Sequence, residues 1–469
     1  MTTIWILAIT LWILGAVASS IHLILLQRRP TTALAWILGL WFIPFVGVGW
    51  YLIFGIQIGP RSIRRRRRRK RELRVREPSR ASTSPSIPGI SALETVLERC
   101  SAFPALPGHQ VRILDEPIER MLEMIGAAQR EILLESYTVS PGPTAEELAE
   151  LLLRRAAEGL EVKLLIDPIG SLELPRAYLR RLQAAGIAAA EFLEPSWLGP
   201  RMHVNLRNHR KLLVIDSELA CLGSANWSDD YRTRPGSPSF SDLHVSIRGA
   251  STSGLRRMFL EDWSIVTGDQ ELAQRLVDPA DETEATRGGL RLRILPSGPD
   301  EPNESLFLVL LAALRSARRT LLIVTPYFVP GEAMMQALRI ACLSGVQVRI
   351  LMPERSDSRV VDLAARHYFP ALLEAGAEIW LREPPFLHAK AIVVDGVWST
   401  LGSANFDLRS FHLNYELNVD VTGTEFAAQL ERHFHKDFDA ARCVEESEYS
   451  PRGIRRLMAN AAALLEPML

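Results

Sequence analysis

The pattern of apolar and polar positions divides the chain into an apolar beginning and a long alternating body. Two almost uninterrupted apolar runs, Ile4 to Leu26 and Ala33 to Gly55, open the sequence. Each is long enough for a helix to cross a hydrocarbon layer of about 30 Å, and Pro44 should kink the second. Only residues 27–32 separate the runs, so the pattern predicts a transmembrane helical hairpin over residues 1–60. A cleaved signal peptide would need the basic start that the first run lacks.

A strongly basic segment follows the second apolar run. Nine of the eleven residues from Arg61 to Arg71 are Arg or Lys, whereas residues 27–32 hold two. By the positive-inside rule, both termini and everything after residue 60 should lie in the cytoplasm. The basic cluster should also attract anionic lipid head groups, and a topology signal without lipid binding is an equal alternative. We assign residues 61–106 to this segment and a linker rich in Pro and Ser.

From Val111 onward, short apolar runs alternate with amphipathic helical patterns, which is typical of βαβ units. The alternation occurs twice. The matched strand-like runs are Glu131 to Val139 with Thr320 to Val329, and Val162 to Asp167 with Val346 to Leu351. The sequence therefore predicts an α/β fold of two tandem domains, residues 107–285 and 286–469, with residues 278–289 as the linker between the halves.

Each half ends in the same polar skeleton, H-x-K-x4-D-x6-G-S-x-N. It is carried by His209, Lys211, Asp216, Ser224 and Asn226 in the first copy, and by His388, Lys390, Asp395, Ser403 and Asn405 in the second. A His and a Lys two positions apart in a strand project from the same face. The two histidines are 179 residues apart, so the repeat is a whole domain. We expect the two copies to meet at a pseudo-twofold seam and to form one shared active site.

Two His, two Lys and two Asn at such a seam would form a compact cationic site that suits a phosphodiester. The lysines, serines and asparagines can neutralise the non-bridging oxygens. One imidazole can attack phosphorus while the other protonates the leaving alkoxide. Asp242 and Glu416 are placed to orient the histidines, and the sequence leaves open which carboxylate faces which histidine. Asp216 and Asp395 either join the catalytic set or lie at a turn and bind backbone.

Composition excludes several other classes of site. Lys plus Arg and Asp plus Glu both number 54, so the chain has no net charge that would attract nucleic acid. Its four cysteines are Cys100, Cys221, Cys342 and Cys443. Their scattered positions fit reduced thiols in a cytosolic domain better than a disulfide framework or a zinc site. The motif lysines would repel a cation, so we predict neither a metal nor a cofactor.

At these motifs the chain resembles the phospholipase D superfamily and, within it, the bacterial membrane-bound cardiolipin synthases. The resemblance includes the apolar hairpin, Asn208 to Asp216, Thr325 to Pro330 and Phe386 to Glu416. It implies an inner-membrane enzyme with its catalytic body in the cytoplasm. Such an enzyme moves a phosphatidyl group from one phosphatidylglycerol to another and releases glycerol. The resemblance also implies that His209 is the nucleophile, although the residue chemistry treats the two histidines alike, and that His388 is the general acid and then the base.

The acceptor is where this sequence departs from the family pattern. The first motif reads Gly-Ser-Ala-Asn-Trp over residues 223–227, and the segment 136–142 lacks the Asp that usually follows this strand. A phospholipase D that transfers to water, or a transphosphatidylase that uses another lipid donor or acceptor, is therefore an alternative. A nuclease of the same superfamily would need a basic groove with interleaved aromatic residues, which is not evident beyond residues 61–71. An inactive lipid-binding scaffold conflicts with two intact motifs. We expect phosphatidylglycerol and anionic membrane lipids as partners, and no nucleic acid.

Overall fold

The computed structural model falls into two compact units, which are described separately. The first contains Met1–Arg65 and Glu194–Leu206, and the second contains Arg66–Leu193 and Arg207–Leu469. The structure describes residues 2–25, 30–52, 66–68, 70, 90–193, 206–233, 239–269, 289–301, 305–449 and 453–466. The predicted linker, 278–289, lies outside the described residues except for Gly289. Residues 61–65, 69 and 71 of the basic segment also lie outside them.

Among the described residues, the first unit has one helix long enough to cross a membrane. Helix α1 spans Thr2–Leu25, and its segment Thr3–Leu25 has a mean hydropathy of 2.2. The second apolar run forms two shorter helices, α2 at Pro30–Phe42 and α3 at Val46–Trp50. The predicted kink at Pro44 is confirmed as a break, because proline cannot donate a backbone hydrogen bond and the next residue has a φ of 62°. The expected second long helix is not found in the described part.

The second unit is built on one mixed sheet of 15 strands that both halves of the chain share. The first half contributes β1 Leu106–Ile113, β2 Glu131–Ser136, β3 Glu161–Ile166, β4 Ala188–Glu191, β5 Leu212–Ile215, β6 Leu219–Gly223 and β7 His244–Arg248. The second half contains β8 Leu290–Ser297, β9 Thr320–Val324, β10 Phe328–Val329, β11 Gln347–Pro353, β12 Glu378–Arg382, β13 Ala391–Val394, β14 Trp398–Gly402, β15 Phe406–Asp407, β16 Glu416–Thr422 and β17 Ala441–Cys443. The short strands β10 and β15 pair with each other outside the large sheet.

The strand order repeats on either side of the central β8–β1 pair, which confirms the predicted duplication. The order is β17-β12-β11-β9-β13-β14-β16-β8-β1-β7-β6-β5-β2-β3-β4. In each half, three strands are parallel and joined through helices, namely β2, β3 and β4, and β9, β11 and β12. The predicted βαβ units are confirmed there. The motif strands instead form antiparallel hairpins, β5–β6 and β13–β14, because only a short turn connects them.

The helices cover the sheet through apolar stripes. The first half has α4 Ser91–Cys100, α5 Pro117–Ala127, α6 Pro143–Ala157, α7 Arg176–Ala184 and α8 Ser251–Thr267. The second has α9 Ser305–Ser316, α10 Gly331–Leu343, α11 Arg359–Glu374, α12 Leu408–His412, α13 Thr424–Asp439 and α14 Ile454–Ala463. In α6, the residues Ala145, Leu148, Ala149 and Leu152 recur at helical spacing and are all buried. Burying a leucine side chain contributes about 1.5–3 kcal/mol, and each half has a hydrophobic core of this kind.

Part of the basic segment belongs to the folded body. Lys70 is buried, with its Nζ 3.0 Å from Asp300 and 2.8 Å from Glu301. Nearby, Arg66 donates a hydrogen bond of 3.1 Å to the hydroxyl of Tyr415. Removing either acid would weaken the pairing of a buried ammonium, which is costly. The expectation that the whole basic cluster faces lipid head groups is therefore wrong for Lys70.

Candidate active site

The backbone of each motif histidine is fixed by the opposite half of the chain. The His209 N–H donates to the carbonyl of Tyr415 at 2.8 Å, and the His388 N–H donates to the carbonyl of Ser241 at 2.7 Å. Both histidines lie three residues before their motif strands, β5 and β13. Tyr415 and Ser241 each come one residue before a carboxylate that the sequence analysis singled out. The two halves are therefore interlocked at the point where the histidines emerge.

The carboxylates pair with the histidines in a crossed arrangement. His209 Nδ1 lies 2.9 Å from Glu416 Oε2, and His388 Nδ1 lies 3.2 Å from Asp242 Oδ2. Each histidine is thus oriented by a carboxylate from the other half. His209 Nδ1 also lies 3.1 Å from the carbonyl oxygen of Ser403. Since both neighbours only accept hydrogen bonds, Nδ1 carries the hydrogen and Nε2 keeps the lone pair.

Glu416 is held rigidly by several donors and is fully buried. Its carboxylate accepts hydrogen bonds from Ser403 Oγ at 2.6 Å, Ser410 Oγ at 2.9 Å and Asn414 Nδ2 at 3.2 Å. Burial acts to raise the pKa of Glu416, but the adjacent His209, the charge of Lys211 and the Ser403 hydroxyl hold it below its ordinary value. Burial likewise acts to raise the pKa of Asp242, but the adjacent His388 holds it below its ordinary value. Both carboxylates are therefore ionised at neutral pH.

The structure places the hydroxyls of Ser224 and Ser403 on the orienting carboxylates, and the phosphate-binding role that the spacing suggested stays a prediction. Both are fully buried. The hydroxyl of Ser224 donates to Asp242, and the hydroxyl of Ser403 donates to Glu416. A hydroxyl has one hydrogen to donate, and here it is used on the carboxylate. These serines therefore position the residues that orient the histidines, a role that the sequence spacing could not distinguish from substrate binding.

Both motif copies open into one cavity of about 730 Å³, with His209, His388, Asn226 and Asn405 in its wall. This volume is typical of small-molecule sites. The Oδ1 atoms of both asparagines are buried without a hydrogen-bond partner in the part of the chain that the structure describes. Buried polar atoms are rarely left unpaired in proteins. The matched pair therefore marks a place where a polar ligand would complete the hydrogen bonding.

The motif lysines are buried beside the histidines. Lys211 Nζ donates to the carbonyl of His209 at 2.8 Å, and Lys390 Nζ donates to the carbonyl of His388 at 2.7 Å. Burial lowers the pKa of Lys211 to about 8 and that of Lys390 to about 7. Burial also lowers the pKa of His209 to about 4 and that of His388 to about 3. At neutral pH the site therefore holds two neutral imidazoles, with the charged Lys211 and the partly charged Lys390 close by.

Asp216 and Asp395 are not among the residues that line the cavity. Their carboxylates accept backbone N–H groups at 2.6–3.1 Å, from Gln129, Arg130 and Glu131 for Asp216, and from Arg318, Arg319 and Thr320 for Asp395. Each fixes the hairpin turn to the start of a neighbouring strand, β2 or β9. The structure therefore favours the alternative of a turn residue that binds backbone, and their inclusion in the catalytic set stays a prediction.

Replacing Asp395 with alanine should lower stability and leave the chemistry of the folded protein intact. The variant loses charge-assisted bonds to three backbone N–H groups and places alanine at a φ of 53°, which we expect to cost about 1–3 kcal/mol. Thermal unfolding should show a lower Tm, while activity per folded molecule stays within about twofold. A folded variant with no activity would return Asp395 to the catalytic set.

The structure adds aromatic and cationic residues to the cavity that the motif analysis missed. The ring of Tyr137 lies 4.7 Å from that of His209, and the hydroxyl of Tyr231 lies 3.1 Å from His388 Nδ1. Arg207 and Arg409 also line the cavity. A comparison of the residues that flank the two motif copies would have singled out both arginines, because the equivalent positions differ in charge.

Comparison with known proteins shows the family to which the chain belongs. A family model described as "Cardiolipin synthase, PLD-like domain" matches residues 121–234 and 310–438, one region in each half. The chain belongs to this cardiolipin synthase, phospholipase D-like family. A second model, described as "Phospholipase_D-nuclease N-terminal", matches residues 16–55.

Individual relatives of the family match nearly the whole chain. The cardiolipin synthase of Geobacillus thermodenitrificans is 34% identical over 453 residues, which cover 94% of this chain and 90% of that protein. Cardiolipin synthase A of Pseudomonas aeruginosa is 33% identical over 481 residues, which cover 100% of this chain and 96% of that protein. The crystal structure of phosphatidylserine synthase from Haemophilus influenzae, 16% identical, superimposes with a TM-score of 0.62 over 81% of this chain and 100% of that chain. That likeness shows a shared fold.

Proposed function

We propose that this chain is a cardiolipin synthase, a phosphatidyltransferase that moves a phosphatidyl group from one phosphatidylglycerol to the terminal hydroxyl of another and releases glycerol. The observation that carries the proposal is the single cavity lined by the histidine and the asparagine of both motif copies. Relatives named cardiolipin synthase, matched over nearly the full length, supply the substrate class. The apolar helix α1 fits an enzyme that works at a membrane.

In the first step, a nitrogen lone pair forms a bond to phosphorus and the bond from phosphorus to the glycerol oxygen breaks. We assign the attack to Nε2 of His209, whose Nδ1–H is held by Glu416. The departing glycerol oxygen takes a proton from the His388 side of the site. Lys390 Nζ lies 2.9 Å from His388 Nε2, so a proton is available there. The product is a phosphatidyl group bonded to His209, with free glycerol.

In the second step, the terminal hydroxyl of another phosphatidylglycerol attacks the same phosphorus. His388 accepts the hydroxyl proton as the new oxygen–phosphorus bond forms, and the bond to His209 breaks. Cardiolipin leaves and His209 is neutral again. Asn226, Asn405 and the two buried lysines offer donors and positive charge to the non-bridging oxygens during both steps.

The hydrogen bonds at the two histidines favour His209 as the nucleophile. No bond to His209 Nε2 is found within the described residues, whereas His388 Nε2 faces the ammonium of Lys390 at 2.9 Å. A lone pair that accepts from an ammonium is a weaker nucleophile and is already placed to receive a proton. The motif spacing is the same around both histidines, but their hydrogen bonds differ. This difference supports His209 as the nucleophile and His388 as the general acid and base.

We further propose that the enzyme crosses the bacterial inner membrane more than once, with its catalytic body in the cytoplasm. The support is the basic run at residues 61–71 against two basic residues at 27–32. The broken helix α2–α3 would then form the return crossing, since a proline break is tolerated inside a membrane. Accessibility labelling of single cysteines introduced at residues 28 and 64 would test this orientation, with only the first labelled from outside.

Purified protein in detergent should convert phosphatidylglycerol that is labelled in its head group to cardiolipin and free labelled glycerol, with a chelator present. The products can be separated and counted directly. Equal amounts of cardiolipin and glycerol would support transfer to a lipid alcohol. Phosphatidic acid without cardiolipin would mean that water is the acceptor and that the enzyme is a phospholipase. Loss of turnover with the chelator would contradict a metal-independent reaction.

Both the acid limb and the alkaline limb of the pH profile of kcat/KM should differ from those expected for a free imidazole. The pKa of His209 is lowered to about 4 by burial, so the nucleophile stays neutral and kcat/KM should hold between pH 7 and pH 5. The pKa of Lys390 is lowered to about 7, so its charge is lost as pH rises and kcat/KM should fall above neutrality. Lys390→Arg keeps the charge at this position, so the alkaline decline should move up toward pH 8, where Lys211 loses its charge, even if the rate of the variant is lower. An acid limb near pH 6.5 in the wild-type protein would contradict the assignment.

A further inference from the structure

The two halves of the cavity are not equivalent in charge. Arg207 lies two residues before the first motif histidine, where the second motif has Phe386. Arg409 lies four residues after the second motif asparagine, where the first motif has Asp230. All four residues line the cavity. At the two positions where one motif copy has an arginine, the other copy therefore has an aromatic ring or a carboxylate.

The backbone brings both arginines to neighbouring places in the fold. The carbonyl of Arg207 accepts the N–H of Tyr415 at 2.8 Å, and the carbonyl of Arg409 accepts the N–H of Asn414 at 2.9 Å. Asn414 and Tyr415 are consecutive and immediately precede Glu416, which orients His209. Both arginines are thus anchored to the strand that organises the nucleophile.

Two cations in one cavity repel each other, and the structure shows that they interact. Burial, and then the charge of Arg207, lower the pKa of Arg409. Asp407 and Asp167 lie close enough to offset part of this charge. Arg207 and Arg409 are only partly covered, so their side chains are accessible from the cavity.

The proposed reaction brings two phosphodiesters into this cavity in its second step. One is the phosphatidyl group on His209, which has Lys211, Lys390 and the two asparagines around it. The other belongs to the acceptor phosphatidylglycerol, joined to the attacking hydroxyl by a glycerol unit. Two anions in a partly buried site repel strongly, so the second needs its own cations. Water or glycerol as an acceptor brings no such charge.

We propose that Arg207 and Arg409 bind the phosphodiester of the acceptor lipid and so select phosphatidylglycerol over water and uncharged alcohols. This inference rests on the proposed function. The guanidinium fork matches phosphate oxygens in a bidentate manner that an ammonium does not. Phe386 and Asp230 at the mirrored positions would repel or ignore an anion, so the acceptor has one side of the cavity on which to lie.

Competition between two soluble acceptors tests the assignment. Wild-type protein receives unlabelled phosphatidylglycerol as donor, together with isotope-labelled glycerol and isotope-labelled glycerophosphoglycerol, which differ by one glycerophosphate unit. Transfer to glycerol regenerates phosphatidylglycerol, so its product is recognised by the label. The readout is the ratio of the two transfer products within one sample, so a partly misfolded variant does not distort it. The variants are Arg207→Gln, Arg409→Gln and Arg409→Lys, with Arg315→Gln on the exposed side of α9 as the matched control.

The wild-type protein and Arg315→Gln should prefer the phosphodiester acceptor by at least about tenfold, which is 1.4 kcal/mol. Arg207→Gln and Arg409→Gln should each lose most of this preference, and Arg409→Lys should keep part of it. A wild-type protein without preference, or a ratio unchanged in both glutamine variants, would overturn the inference while cardiolipin synthesis stands. An equal loss of both products would mean that the arginines bind the reacting phosphate instead. Phosphatidic acid as the sole product would overturn the proposed function and this inference with it.

Discussion

Replacing either His209 or His388 with alanine should reduce cardiolipin formation by at least about 10³-fold, rather than by half. The two motif copies line one cavity, and in the proposed mechanism each histidine performs a separate part of the same reaction. Loss of nucleophilic or general acid–base catalysis typically costs about 10²–10⁴-fold. The measurement is product formation from labelled phosphatidylglycerol at equal amounts of folded protein.

His435→Ala is the matched control, because that imidazole is 77% exposed on α13, and it should leave activity unchanged. The activity of the double variant His209→Ala/His388→Ala should lie within a few-fold of that of the less active single variant, since the effects of groups that act as a unit are not additive. Half of the wild-type rate in each single variant would mean two independent sites and would contradict the shared cavity.

Replacing Glu416 with glutamine should lower activity by about 10²-fold or more without unfolding the protein. The carboxylate accepts the Nδ1–H of His209 at 2.9 Å and so keeps the Nε2 lone pair directed at the cavity. An amide of the same shape can present its NH₂ group and reverse the tautomer, which moves the hydrogen to the attacking nitrogen. The effect should fall on formation of the phosphohistidine, measured as the burst of released glycerol.

The crossed pairing makes a second and different prediction for Asp242→Asn. This carboxylate faces His388 at 3.2 Å, so its loss should impair proton transfer to and from the alcohols. Glu425→Gln, an exposed change on α13, serves as the control. If Glu416→Gln impaired proton transfer while Asp242→Asn abolished phosphohistidine formation, the roles of the two histidines would have to be exchanged.

The duplicated fold could be predicted because its signals are local and occur twice. Helical spacing in α6 and the strand-like runs at β3 and β11 depend on neighbouring residues, so they can be found without the structure. The antiparallel pair β1–β8, which joins the halves into one sheet, joins residues such as Leu106 and Leu292. No local pattern encodes a contact between residues so far apart in the sequence.

The site was predicted in its residue types but not in its connections. Glu416 and Asp242 were singled out by their distance from the motifs, while the crossed pairing depends on how the halves interlock at Tyr415 and Ser241. The contacts of the motif serines could not be predicted, because spacing does not show whether a hydroxyl faces substrate or carboxylate. A second helix long enough to cross a membrane was predicted but is not found in the described residues, because Pro44 breaks the apolar run into α2 and α3.

Trapping and mapping the covalent intermediate is the most direct test of the phosphohistidine mechanism. Protein is mixed with phosphatidylglycerol that is radiolabelled at phosphorus, quenched under alkaline denaturing conditions that preserve phosphohistidine, and digested. We expect label on the peptide that contains His209 in the wild-type protein and no label on this peptide in His209→Ala. Label on the His388 peptide would reverse the assignment of nucleophile and acid. Cardiolipin formed with no protein-bound label at any time would contradict the phosphohistidine mechanism.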